Sequence, residues 1–212
     1  MDFIDDLNLC NEQKNYIFSL AEKLKTSMSP ELYYHTIGTL NYSKKLSLLY
    51  IDDRNKKAHY RLYVSCLLHD YGRMFGYEEL IEVARNNHLK IREFELKLPP
   101  LLHGLVGDFL VARDFGIQDK RILKAIKYHT IGYCNMSIED KILFISDKIE
   151  ETRDYEGVER LRKLSLKDIN LCLAEVYKNT IIYVIKENKL LHPDTSKIWN
   201  NICGGVINVS KK

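Results

Sequence analysis

The fold is decided by the stretch Tyr60-Arg61-Leu62-Tyr63-Val64-Ser65-Cys66-Leu67-Leu68-His69-Asp70. Tyr60, Val64, Leu67 and Leu68 recur at the three- and four-residue spacing of one helix face, which predicts a helix over about 56–71. That apolar helix ends directly in an adjacent His-Asp pair, and Gly72 and Gly76 break the pattern after it.

The same spacing extends outward in both directions. Upstream, Tyr16, Ile17, Leu20 and Leu24 form one stripe of a helix over about 11–26. Ser29-Pro30 then reads as an N-cap followed by proline at the first helical position. The helix it starts carries Leu32, His35, Thr39, Tyr42 and Leu46. Downstream, Tyr77 to His88 forms a short helix, and Pro99-Pro100 opens another that carries Leu102, Val106, Phe109 and Leu110 and ends at Gly116. Asp119 caps a helix ending near His129. Ser137 with Asp140 makes a capping-box pattern ahead of the apolar run Ile138 to Ile149. Ser165 with Asp168 repeats that pattern before a long helix reaching about Asn188, and Pro193 opens a last helix expected to stop at Gly204-Gly205. Strand-type alternation is hard to find, so the fold class is all-α. The expected organisation is an N-terminal helical extension over 1–28, one domain over 29–203 and a flexible tail over 204–212.

Composition narrows the functional classes. The 212 residues are 45% hydrophobic and 29% charged, as expected of a soluble globular chain rather than a disordered one. No apolar run approaches the ~18 residues of a membrane span. The start, Met1-Asp2-Phe3-Ile4-Asp5-Asp6, is acidic where a secretory signal is basic and then apolar, so a cytoplasmic location is expected. With 32 basic against 29 acidic residues, the net charge of +3 is too balanced to predict a nucleic-acid partner. The five cysteines are scattered with no Cys-x-x-Cys pair, which argues against a disulfide frame or a zinc ribbon.

Chemistry is signalled by the histidines. His35, His69, His103 and His129 each fall on, or at the end of, a different predicted helix. Asp147 stands inside an otherwise apolar helix, between Ile145 and Ile149. A lone carboxylate on a core-facing stripe is costly unless paired or bound to a metal. Lys148 is a poor partner by its position, since adjacent helical residues point in different directions. An edge position for Asp147 and satisfied structural roles for each single histidine remain open; only the set is informative. Imidazole nitrogen with carboxylate oxygen suits Fe, Mn, Zn, Co or Ni, and ligands from several helices converge inside a bundle. In a two-metal site a carboxylate can bridge the ions while the histidine before it holds one. His59 and His88 lie outside this set and are expected at the surface. His192, before Pro193, is expected to help cap the last helix, although a base or phosphate contact is also open.

His35, the pair His69-Asp70 and Asp147 have the order and approximate spacing of the HD-domain metal-dependent phosphohydrolases. Further strings narrow the resemblance: Leu67-Leu68-His69-Asp70-Tyr71, Leu102-His103-Gly104-Leu105-Val106-Gly107, Ala125 to Gly132, Asp147-Lys148-Ile149-Glu150 with Arg153-Asp154, and His192-Pro193-Asp194-Thr195. From about Ser29 to Trp199 the chain resembles the YqeK-like branch, symmetrical diadenosine tetraphosphate hydrolases that release two ADP. The resemblance implies an HD-type helical bundle with a metal centre in its core. Iron is the first expectation, with Mn, Co, Ni or Zn as alternatives, one or two ions being bound. It assigns His35, His69, Asp70 and Asp147 as core ligands and His103 and His129 as the histidines of a second position. It is compatible with a homodimer. Two positions depart from the family pattern: Leu32 stands where arginine is usual and Arg73 where lysine is usual. These touch substrate preference and rate more than reaction class, since arginine replaces a point ammonium with a planar fork.

On this reading Asp70 bridges two metals, a metal-bound hydroxide attacks phosphorus, and Arg73 and Arg153 meet the remaining phosphates. Thr130 and Gly132 offer a hydroxyl and a close backbone approach to the nucleotide. A solvated surface role for either arginine, and a simple helix-ending turn for Thr130 and Gly132, explain those residues equally well. Lys127 and Lys148 are weaker candidates. Tyr33, Tyr71 and Tyr133 could stack on adenine or simply pack in the core. Two other functions stay open: an HD-type nucleotidase or cyclic-nucleotide phosphodiesterase, and a non-catalytic nucleotide-binding regulatory domain.

Overall fold

In the computed structural model of the chain, which describes Leu7 and residues 9–209, the helix that carries the His-Asp pair lies at the centre. This helix, α3 (Lys56–Leu68), buries Ala58, His59 and every residue from Leu62 to Leu68. A helix buried all round must be surrounded, and α3 is packed by α1 (Asn11–Ser27), α2 (Pro30–Tyr50), α7 (Lys120–Tyr128) and α8 (Ile138–Ile149). A 3₁₀ turn (Tyr71–Met74) follows it, then α4 (Tyr77–Asn86), a single-turn α5 (Glu93–Leu96) and α6 (Pro99–Phe115). The chain closes with α9 (Val158–Ser165), α10 (Ile169–Lys186) and α11 (Thr195–Val209). No strand occurs among the described residues.

Local chemistry explains most boundaries. Ser29 Oγ accepts the Leu32 N–H, with Pro30 at the first helical position of α2. Ser137 and Asp140 form the reciprocal capping box of α8. Gly116 ends α6 in the left-handed conformation.

Several expectations are corrected. The pattern at Ser165 and Asp168 is not a capping box: Ser165 is the last residue of α9, and Asp168 alone caps α10 by accepting from Asn170 N and Leu171 N. The helix α9 and the turn α5 have no counterpart in the sequence reading. The last helix runs on to Val209 rather than stopping at Gly204-Gly205, and neither glycine takes a positive φ. Glycine lowers helix propensity by about 1 kcal/mol but ends a helix only when it adopts the left-handed turn. The expected tail over 204–212 therefore begins inside a helix; residues 210–212, like 1–6 and 8 of the N-terminal extension, lie outside the described residues. His59 is fully buried, not at the surface, because it faces inward on the central helix.

A candidate metal centre at the end of the central helix

Five helices and one turn bring six buried side chains together. His35 projects from α2, His103 from the first turns of α6 and Asp147 from α8. His69 and His129 each stand immediately after a helix, α3 and α7, at the C-cap. The last carbonyls of a helix lack intrahelical partners, and both histidines use one. The Nδ1–H of His69 donates to the Cys66 carbonyl at 2.7 Å, and that of His129 to the Ile126 carbonyl at 2.7 Å. Each ring is thereby locked with Nε2, and its lone pair, directed into the cluster. Asp70 follows His69 at the start of the 3₁₀ turn. That turn presses against α6 so closely that a Cβ on Gly72 would lie 2.1 Å from the His103 carbonyl oxygen, so no other residue could stand there.

The cluster has two lobes joined by Asp70. On one side, His35 Nε2 and His69 Nε2 each lie 3.5 Å from Asp70 Oδ2. Asp147 Oδ1 lies 3.0 Å from His35 Nε2 and 3.7 Å from His69 Nε2. On the other side, His103 Nε2 and His129 Nε2 lie 3.1 and 3.3 Å from Asp70 Oδ1 and 3.0 Å from each other. Asp70 is only 1% exposed, and neither of its oxygens accepts a well-directed hydrogen bond. A buried carboxylate set among imidazole nitrogens, with those of His69 and His129 presenting lone pairs, is a donor set that divalent cations would complete. The donor set, nitrogen and oxygen without sulfur, fits transition metals. Three overlapping groups of these side chains have ligand atoms close enough to share an ion: His35, His69 and Asp70; His69, His129 and Asp147; and Asp70, His103 and His129.

Electrostatics follow the geometry. Burial works to raise the Asp70 carboxyl, but the imidazoles of His69, His103 and His129 outweigh it and hold it well below the usual carboxylate range. Asp147 is likewise held low against burial by Lys148, His35 and His69. Burial pushes His129 down to about 4. His35 is raised instead, because the Asp147 and Glu150 carboxylates overcome the effect of its burial.

Both proposed phosphate-binding arginines reach the cluster. Arg73 is half-exposed, with Nε 3.0 Å from Asp70 Oδ1. Arg153 sits 3.2 Å from Asp147 Oδ1 and donates its Nε–H to the Asp147 carbonyl. Lys148 does pair with Asp147, contrary to the expectation from adjacency, because its long stem curls back to the carboxylate. Thr130 Oγ1 is buried without a hydrogen-bond partner. Gly132 adopts φ +71° and lines a separate cavity of about 410 Å³, with Arg92, Tyr128, Tyr133 and Lys197. None of the six clustered residues lines that cavity. Tyr71 packs in the core against Phe75 and Phe115. His192 takes the Asp194 N–H on Nδ1 ahead of α11 and turns Nε2 to the buried Glu95.

Two residues at the site escaped the sequence reading. Glu150 is fully buried and accepts from His35 Nδ1 at 3.0 Å. Its position three residues after Asp147, at the C-cap of α8, was the one available signal. Arg162, on the unforeseen α9, donates to the carbonyls of Ile149, Glu150 and Arg153 and so holds the turn that carries Glu150 and Arg153.

This helical bundle with its His/Asp centre belongs to the HD-domain family, whose model matches residues 32–152. Two curated relatives are named symmetrical bis(5'-nucleosyl)-tetraphosphatases. The protein from Bacillus subtilis is 32% identical over 86% of this chain and 95% of its own length. That from Halalkalibacterium halodurans is 31% identical over 84% and 92%. A solved structure from Clostridium acetobutylicum, described as an HD superfamily hydrolase involved in NAD metabolism, superposes with a TM-score of 0.79 at 30% identity, covering 92% of this chain and 97% of its own.

Proposed function

We propose that the protein is a metal-dependent hydrolase of nucleoside polyphosphates that cleaves diadenosine tetraphosphate symmetrically, one water and one dinucleotide giving two ADP. The names of the relatives, matched over nearly their whole length, support the substrate class. The observation that carries the chemistry is Asp70, a buried carboxylate whose two oxygens each face a separate pair of imidazoles. His35, His69 and Asp147 would hold one cation, His103 and His129 a second, with Asp70 between them. Bound divalent cations supply Lewis acidity: they acidify water and neutralise phosphoryl charge.

The chain's own residues supply the rest. Arg73 and Arg153 present planar, permanently charged forks at the rim, suited to bidentate grip on phosphate oxygens. Their contacts to Asp70 and Asp147 place that charge beside the ligand carboxylates. Thr130, with its unpaired hydroxyl, is a further donor for a phosphate; Gly132, on the separate cavity, is a weaker one. The nitrogen and oxygen donor set supports iron, with manganese, cobalt, nickel or zinc as substitutes. The five free cysteines fit a reducing, cytoplasmic compartment; among the described residues, no helix is long and apolar enough to cross a membrane.

The test is product analysis of diadenosine tetraphosphate turnover with added iron or manganese, alongside metal content. Two ADP per substrate, lost in His69→Ala, is the expected result. AMP with ATP, or an untouched dinucleotide with cleavage of a mononucleotide, refutes the substrate assignment.

A further inference from the structure

We infer that Glu150 is a positioning residue that fixes the tautomer and aim of His35, and that Gly38 is kept free of a side chain to admit it. The inference rests on the metal-centre reading above. His69 and His129 are oriented by backbone carbonyls, which no side-chain substitution removes. His35 lies mid-helix on α2, where every carbonyl nearby is engaged in the helix ladder, so it has to find a partner elsewhere. That partner is Glu150, 115 positions along the chain, whose Oε1 lies 3.0 Å from His35 Nδ1. A carboxylate only accepts, so Nδ1 is the nitrogen that donates to Glu150, which leaves Nε2, beside Asp70 and Asp147, as the nitrogen available to a cation.

Glu150 is itself immobilised. Its Oε2 accepts the Thr152 N–H at 2.7 Å and its Oε1 the Thr152 hydroxyl at 2.6 Å. On the α2 side the carboxylate passes directly over Gly38, where a Cβ would lie 2.4 Å from Oε2. An alanine there must displace a carboxylate that is tied on its other side. Gly38 stands three residues after His35, so one turn of α2 offers both the imidazole and the space for its partner.

The experiment is a cobalt(II) titration of the metal-free full-length protein, followed by visible absorption. Glu150→Ala and Gly38→Ala are each expected to weaken cobalt binding about 10–100-fold. Glu150→Gln, which can still accept from Nδ1–H but turns its amide NH2 towards the Thr152 N–H, should bind cobalt more tightly than Glu150→Ala. Thr152→Ala, which loosens the turn but leaves the His35 contact, should do the same. Native affinity in Glu150→Ala, while His69→Ala loses cobalt, overturns the proposal. So does a Gln variant as weak as the Ala variant. Undiminished cobalt binding in His69→Ala overturns instead the metal-centre reading beneath it.

Discussion

The helix α3 carries a buried polar cluster at each end, and the two differ in how protons are shared out. Near its start, His59 Nδ1 lies 3.2 Å from the Tyr63 hydroxyl, which lies 2.9 Å from Ser47 Oγ, itself donating to the Lys44 carbonyl. These groups form a chain that carries no net charge, with His59 Nε2 buried and left without a partner, and burial pushes His59 towards its neutral form. At the far end, two carboxylates face four imidazoles, of which His69 and His129 turn a lone pair inward. The first arrangement is uncharged, whereas the second gathers two buried carboxylates among imidazoles, with Arg73, Lys148 and Arg153 at its edge. A buried histidine is thus a poor marker of function by itself; several histidines gathered around buried carboxylates are a better one.

The sharpest way to break this contrast is to remove the carboxylate at the charged end. Asp70→Ala should lower turnover by on the order of 10³-fold or more, because it removes charge from both lobes at once. Circular dichroism should show helicity retained, and full activity would sink the distinction. Between the ends, Leu67→Ala should cost roughly 2–5 kcal/mol in denaturant unfolding, since the side chain is fully buried on the central helix. A loss under about 1 kcal/mol would mean α3 is less central than its burial implies.

The uncharged end should respond to acid. The folded-state pKa of His59 is lowered from its ordinary 6.5, with Asp53, Lys56 and Glu139 the charged groups around it. Its contribution is present above pH 6.5 and is lost as pH falls towards the depressed value, because the unfolded chain takes up the proton first. In that window stability should fall by at most about 1.4 kcal/mol per pH unit more steeply in the native protein than in His59→Gln. Parallel pH profiles would show that His59 does not titrate on unfolding. The smallest effect expected is that of Tyr63→Phe, a loss of about 1 kcal/mol of stability with turnover unchanged. A fall in turnover there would mean that the two ends are coupled.

Much of this was legible along the chain. Amphipathic spacing, proline at helix starts and the caps at Ser29, Asp119 and Ser137 mark helices that the structure contains. The six candidate ligands came from the resemblance to the HD-domain phosphohydrolases, since residue type alone left each single histidine open. What was illegible has physical reasons. The helix α9 buries only Val158, Leu161 and Ser165, too few apolar positions to register as a stripe. Ser165 and Asp168 match a capping box by spacing alone, but a helix already ends at Ser165. His59 follows Lys56 and Lys57, a context that reads as surface until four helices close around it.

The sequence by itself determined the helical class, the kinds of ligand available and the turn chemistry that delimits the helices. These depend on contacts within about four residues, where spacing is geometry. Only the tertiary structure decided which carboxylate orients which imidazole, that Asp70 faces two lobes, and that Gly38 and Gly72 stand where neighbouring atoms leave no room for a Cβ. Those relations depend on how closely α2, α6 and α8 approach one another and the end of α3. That approach is set by the packing of whole helix faces, which no local pattern encodes.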